Sequence, residues 1–104
     1  MDSLNGLKIT KKLIKEGMPD DSSACPIARA MVGKVDGIPR VYPRETVIRK
    51  SDSKDSIWIN HTKELTDWIN RLDKGGYGNG DIPAPGPITL VITEAGDLGI
   101  KEAA

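Results

Sequence analysis

The chain has 104 residues, 15 Lys and Arg against 15 Asp and Glu, and a formal net charge of zero. That length suits one domain, which buries roughly two thirds of the surface its unfolded chain exposes, and the charge balance lacks the high-net-charge signature of disorder. Zero net charge disfavours a dedicated nucleic-acid binder, whose affinity comes from neutralising phosphates. The lone Cys25 cannot form an intramolecular disulfide, and the longest apolar run falls far short of the roughly 20 residues that cross a bilayer. With no apolar leader in the first thirty residues, the expected compartment is the reducing cytoplasm, with no membrane partner.

In chain order, Leu7-Lys8-Ile9 reads as a short strand, and Thr10 as the N-cap of a helix from Lys11 to Glu16 that turns Leu13 and Ile14 inward and stops at Gly17. Met18 to Ser23 is a turn. Cys25 is then the N-cap of a second helix opened by Pro26, whose missing amide hydrogen has no partner to lose at the first helical position. Ile27, Ala28, Ala30 and Met31 share its apolar face, and Gly33 ends it. From Val35 to Pro43, Gly37, Pro39 and Pro43 interrupt regular pairing while Ile38, Val41 and Tyr42 favour a strand, so the stretch is expected as an edge strand or an extended segment. Thr46 to Arg49 and Ser56 to Asn60 are β-branched and aromatic, with a polar loop at Ser51 to Asp55, which predicts an antiparallel hairpin. Leu65, Trp68, Ile69 and Leu72 recur at i, i+3, i+4 and i+7, giving a longer amphipathic helix closed by Gly75. The segment from Gly75 to Pro87 holds five glycines and three prolines and is read as a loop, Ile88 to Thr93 as a strand, and the small, polar end as a tail.

These elements predict an α+β domain over residues 1–94, with two short helices and one longer amphipathic helix packed on one face of a small antiparallel sheet, and a flexible tail over 95–104. The other face is expected to carry some combination of Thr46, Val47, Trp58 and Val91 and to favour a homo-oligomer.

The ordered set Thr10 to Gly17 (T-x-x-x-I-x-x-G), Cys25-Pro26-Ile27-Ala28, Asp67 to Gly75 and Pro87-Ile88-Thr89-Leu90 resembles a group of small tailed-phage proteins of uncharacterised function with a Cys-Pro-Ile-Ala helix motif. The chain departs from that pattern at Leu72, where Phe is expected, and in the longer glycine-rich stretch after Gly75. The resemblance implies a phage accessory product translated in the cytoplasm of a bacterial host, and it brings no catalytic residues with it.

Cys25 at a helix N-terminus and His61, the single imidazole, are the raw material of a cysteine-dependent hydrolase, since a helix N-terminus favours thiolate. Cysteine is also among the most buried residue types, and a Cys-Pro helix start packs well. One Cys and one His do not make a zinc site. The glycines at Gly75 to Gly80 follow a helix and precede a strand, the reverse of phosphate-binding loops, so they read as a connection with Tyr77 and Asn79 as its contact residues. Positive charge gathers at Arg40, Arg44, Arg49, Lys50 and Lys54, and Tyr42 between Arg40 and Arg44 combines stacking with guanidinium groups. The binding residues expected are therefore Arg40, Tyr42, Arg44, Arg49, Tyr77 and Asn79, with none assigned to catalysis, a metal or a cofactor. The function expected is a non-enzymatic counter-defence protein that inhibits or sequesters a host protein or small nucleotide-like ligand. The alternatives are the Cys25/His61 hydrolase and a nucleic-acid-binding regulator.

Overall fold

A computed structural model describes residues 4–17, 23–50, 55–75 and 85–102. The strands are β1 (Lys8–Ile9), β2 (Ile38–Val41), β3 (Glu45–Arg49), β4 (Ser56–Asn60), β5 (Ile88–Ile92) and β6 (Leu98–Glu102). The helices are α1 (Lys11–Glu16), α2 (Pro26–Met31) and α3 (Lys63–Gly75). The α+β class holds, but the described strands divide into two three-stranded antiparallel sheets, β1-β5-β6 and β2-β3-β4, where a single sheet was expected.

The helix ends follow from local chemistry. Thr10 Oγ1 accepts the Leu13 N–H at 3.2 Å, Cys25 Sγ accepts the Ala28 N–H at 3.4 Å, and Thr62 Oγ1 accepts the Leu65 N–H at 3.3 Å. Each side chain satisfies an amide with no partner inside its own helix. The periodicity of α3 buries Leu65, Trp68, Ile69 and Leu72, and these join Ile27, Ala28 and Met31 of α2, Ile9 of β1, Ile48 of β3, Ile59 of β4, and Ile88 and Leu90 of β5 in one core. Trp68 donates its indole N–H to the Gly86 carbonyl at 3.1 Å, tying the entry to β5 onto α3. Arg29 reaches from α2 to the Glu16 carbonyl at 2.8 Å and holds the two short helices together.

The flexible tail expected over 95–104 gives way to strand β6, which pairs along its length with β5 and buries Leu98 completely. The turn that makes this possible is compact. Thr93 and Asp97 pair through the Thr93 N–H and the Asp97 carbonyl at 2.9 Å, leaving a three-residue loop whose last residue, Gly96, has φ +86. Three-residue hairpin loops place a left-handed residue there, and glycine adopts it without steric cost. What read as a small polar tail is the turn of a hairpin, and Leu98 and Ile100 are its returning apolar side chains.

The sheets meet where β4 ends. His61 forms a single parallel bridge with Leu98, and the next amide, Thr62 N–H, donates to the Leu98 carbonyl at 2.9 Å. The chain then turns into α3, so pairing between the sheets stops after one step.

Candidate functional site

In the β2-β3-β4 sheet the period-2 alternation of strand side chains sorts two faces. Pro39, Val41, Thr46, Ile48 and Ile59 are buried. The opposite set forms three ranks across the sheet. Arg49 pairs with Ile38 on one side and Ser56 on the other; Val47 pairs with Arg40 and Trp58; Glu45 pairs with Asn60. The Tyr42 amide completes the third rank by donating to the Glu45 carbonyl at 2.8 Å across the two-residue turn Pro43-Arg44.

Three large apolar or aromatic side chains on this face stand in solvent: Trp58 is 67% exposed, Ile38 55% and Tyr42 44%. They border a cavity of about 410 Å³ that Arg40, Glu45, Val47, Arg49 and Ser56 also line. Ligand sites commonly occupy roughly 300–1,000 Å³ and combine apolar walls with a few polar groups, which is the composition here. Two guanidinium groups and one carboxylate supply the charge, so the site favours a ligand with more negative than positive character.

Of the residues expected from the sequence, Arg40, Tyr42 and Arg49 come together on this face. Arg44 does not line the cavity; it stands exposed on the β2–β3 turn, where its carbonyl accepts the His61 N–H at 2.9 Å. The turn reverses the chain between Tyr42 and Glu45, so sequence proximity to Tyr42 does not become a shared face. Tyr77 and Asn79 lie outside the described residues. Ile38, Glu45, Val47, Ser56 and Trp58 also line the cavity and are absent from the expected binding set. The signal for Trp58 was available, since in Ser56-Ile57-Trp58-Ile59-Asn60 the two isoleucines alternate against it and claim the inward face.

Thr46, by contrast, points inward and is fully buried, with its hydroxyl 2.6 Å from His61 Nε2. His61 Nδ1 lies 3.0 Å from the Pro43 carbonyl, which can only accept, so Nδ1 carries the proton and Nε2 accepts from Thr46. Burial pushes the His61 pKa below the usual 6.5, with the Pro43 carbonyl opposing the shift. Both ring nitrogens are thus engaged by the backbone and side chain that fix the β2–β3 turn. Cys25 is buried in the core with its sulfur serving as the cap of α2. The geometry gives Cys25 and His61 structural partners of their own.

Comparison of the chain with protein-family models, with curated proteins and with solved structures returns no match.

Proposed function

We propose that the chain is a non-enzymatic phage accessory protein that acts by binding, occupying or sequestering a component of the bacterial host, either a defence protein or a small nucleotide signal. The observation that carries this reading is the exposed β2-β3-β4 face, where Trp58, Tyr42 and Ile38 stand in solvent around a cavity edged by Arg40 and Arg49. A folded domain gains stability by burying such side chains, so large apolar groups held out on a regular strand mark a surface that binds something else. Trp, Tyr and Arg are also the residues that concentrate binding energy at interfaces. The phage origin rests on the motif resemblance at Thr10 to Gly17, Cys25 to Ala28, Asp67 to Gly75 and Pro87 to Leu90. The buried, capping Cys25 supports a packing role for that residue over a nucleophilic one.

The test is native mass spectrometry of the chain expressed in a bacterial host, beside a variant carrying Arg40→Ala and Trp58→Ala. The expected spectrum shows a stoichiometric extra mass on the wild type, of nucleotide or protein size, that the variant lacks, and it reads the expected homo-oligomer directly. A bare wild type, together with a host-lysate column that retains nothing the variant does not, overturns the reading.

A further inference from the structure

We infer that the exposed β2-β3-β4 face is a mononucleotide site in which a base slots between Trp58 and Arg40 above Val47, with its phosphate on Arg49 and its N–H edge on Glu45. The inference rests on the binding reading above and names the ligand class.

The register supplies the slot. Arg40, Val47 and Trp58 are cross-strand partners in one rank, so Arg40 and Trp58 stand on the two outer strands with the small Val47 between them as a floor. Neighbouring strands lie about 4.8 Å apart, which separates β2 from β4 by roughly 9–10 Å, and strand side chains rise roughly perpendicular to the sheet. A flat ring stacked on both sides at about 3.5 Å needs about 7 Å between its neighbours. The slot therefore admits one aromatic ring between an indole and a guanidinium plane, the two groups that stack best on bases.

The axis of the slot has opposite chemistry at its ends. Along β3, Glu45 and Arg49 flank Val47 on the same face, each two residues away, or about 7 Å. A nucleotide has matching polarity, with a hydrogen-bonding base edge at one end and a phosphate at the other. Arg49 presents a planar fork suited to phosphate oxygens, and an ionised Glu45 accepts only, so it selects base edges that donate. Guanine offers a ring N–H and an amino group side by side, which one carboxylate takes together. Uracil flanks its single N–H with carbonyls that repel a carboxylate. The expected order is GMP tightest, AMP and CMP weaker, and UMP weakest. Glu45 also explains why the face is not uniformly basic.

The experiment is a titration of the full chain with GMP, AMP, CMP and UMP at low salt, followed by tryptophan fluorescence and by calorimetry, with guanosine as the phosphate-free control. Trp58 is exposed and Trp68 is buried against Gly86, so stacking quenches the Trp58 emission. The expected result is saturable quenching in that order, weakened roughly tenfold by Trp58→Ala or Arg40→Ala in calorimetry, and loss of the GMP preference in Glu45→Gln. Arg49→Gln should bring GMP down to the affinity of guanosine. Since all four side chains lie at the surface, thermal melts will confirm that the variants fold. No saturable binding of any nucleotide up to about 1 mM overturns the inference. If the wild type then sediments as a dimer that Trp58→Ala dissociates, a second copy of the chain covers the face instead. If a host component is still lost from the Arg40→Ala, Trp58→Ala variant, the binding reading stands without the nucleotide, and if neither is seen both fall.

Discussion

Replacing Thr46 by Val isolates one hydrogen bond at the junction of the two sheets. Thr46 is fully buried and Val matches its shape, so the substitution leaves no void and removes the hydroxyl that donates to His61 Nε2 across 2.6 Å. A net hydrogen bond contributes about 1 kcal/mol, and leaving a partly buried acceptor without its donor costs about 1–3 kcal/mol. Part of that is recovered because water reaches the exposed edge of the partly buried ring, so the expected loss is about 1–2 kcal/mol, or a fall in Tm of roughly 5–15 °C for a domain of this size. The pH dependence gives a second signature. Burial lowers the His61 pKa in the folded chain, so as pH falls below 6.5 the unfolded chain takes up the proton first. The stability His61 confers is present above that value and is lost as pH falls from it through the lower folded pKa. In Thr46→Val the ring stays buried, now beside an apolar side chain, so the folded pKa stays below the ordinary value and the acid-induced loss persists on top of the loss at high pH. Urea unfolding of both proteins at about pH 8 and about pH 5.5, either side of the ordinary imidazole value, reads both effects. A variant with the wild-type midpoint at the higher pH would refute the role of the hydrogen bond, and a wild type that keeps its full stability at the lower pH would refute the burial of a neutral His61.

Gly37 has φ +133, and a Cβ there would sit 2.1 Å from the Arg49 carbonyl oxygen, so Gly37→Ala should cost roughly 2 kcal/mol or more and loosen the β2–β3 pairing, seen as a lower Tm and faster amide exchange at Arg49 and Val47. A chain ending at Asp97 loses β6 and the fully buried Leu98, and it should show no cooperative thermal transition; a sharp melt near the wild-type Tm would return residues 98–104 to the status of a tail. Cys25→Ala removes the sulfur cap of α2 and should destabilise by about 1 kcal/mol, whereas Cys25→Ser restores a strong cap and should retain more of the helix, measured by chemical unfolding. In the native protein a thiol reagent should modify Cys25 at the rate of unfolding, and a fast reaction would reopen the nucleophile reading.

Local signals were legible wherever they were carried by side chains that answer to their own neighbourhood. The caps at Thr10 and Cys25, the proline start of α2, the apolar stripe of α3 and the β3–β4 hairpin depend on contacts within a few residues, and each formed as the sequence indicates. The candidate site was half legible. Arg40, Tyr42 and Arg49 are conspicuous as chemistry, but whether Arg44 joins them depends on a two-residue turn, and whether Trp58 does depends on register across three strands, which a shift of one residue would reverse.

By itself the sequence determined the α+β class, the helices and their caps, and the basic, aromatic character of the segment from Arg40 to Arg49. Tertiary structure alone decided that the described strands split into two sheets, because among the described residues the bridge between them is His61 to Leu98, formed by residues far apart in the chain. It also decided that 98–102 is a strand, since β6 exists only through the partners β5 offers it, and that Arg40 faces Trp58 across Val47. Such pairings depend on which distant segments finally bury their apolar faces together, and no local run of residues encodes that.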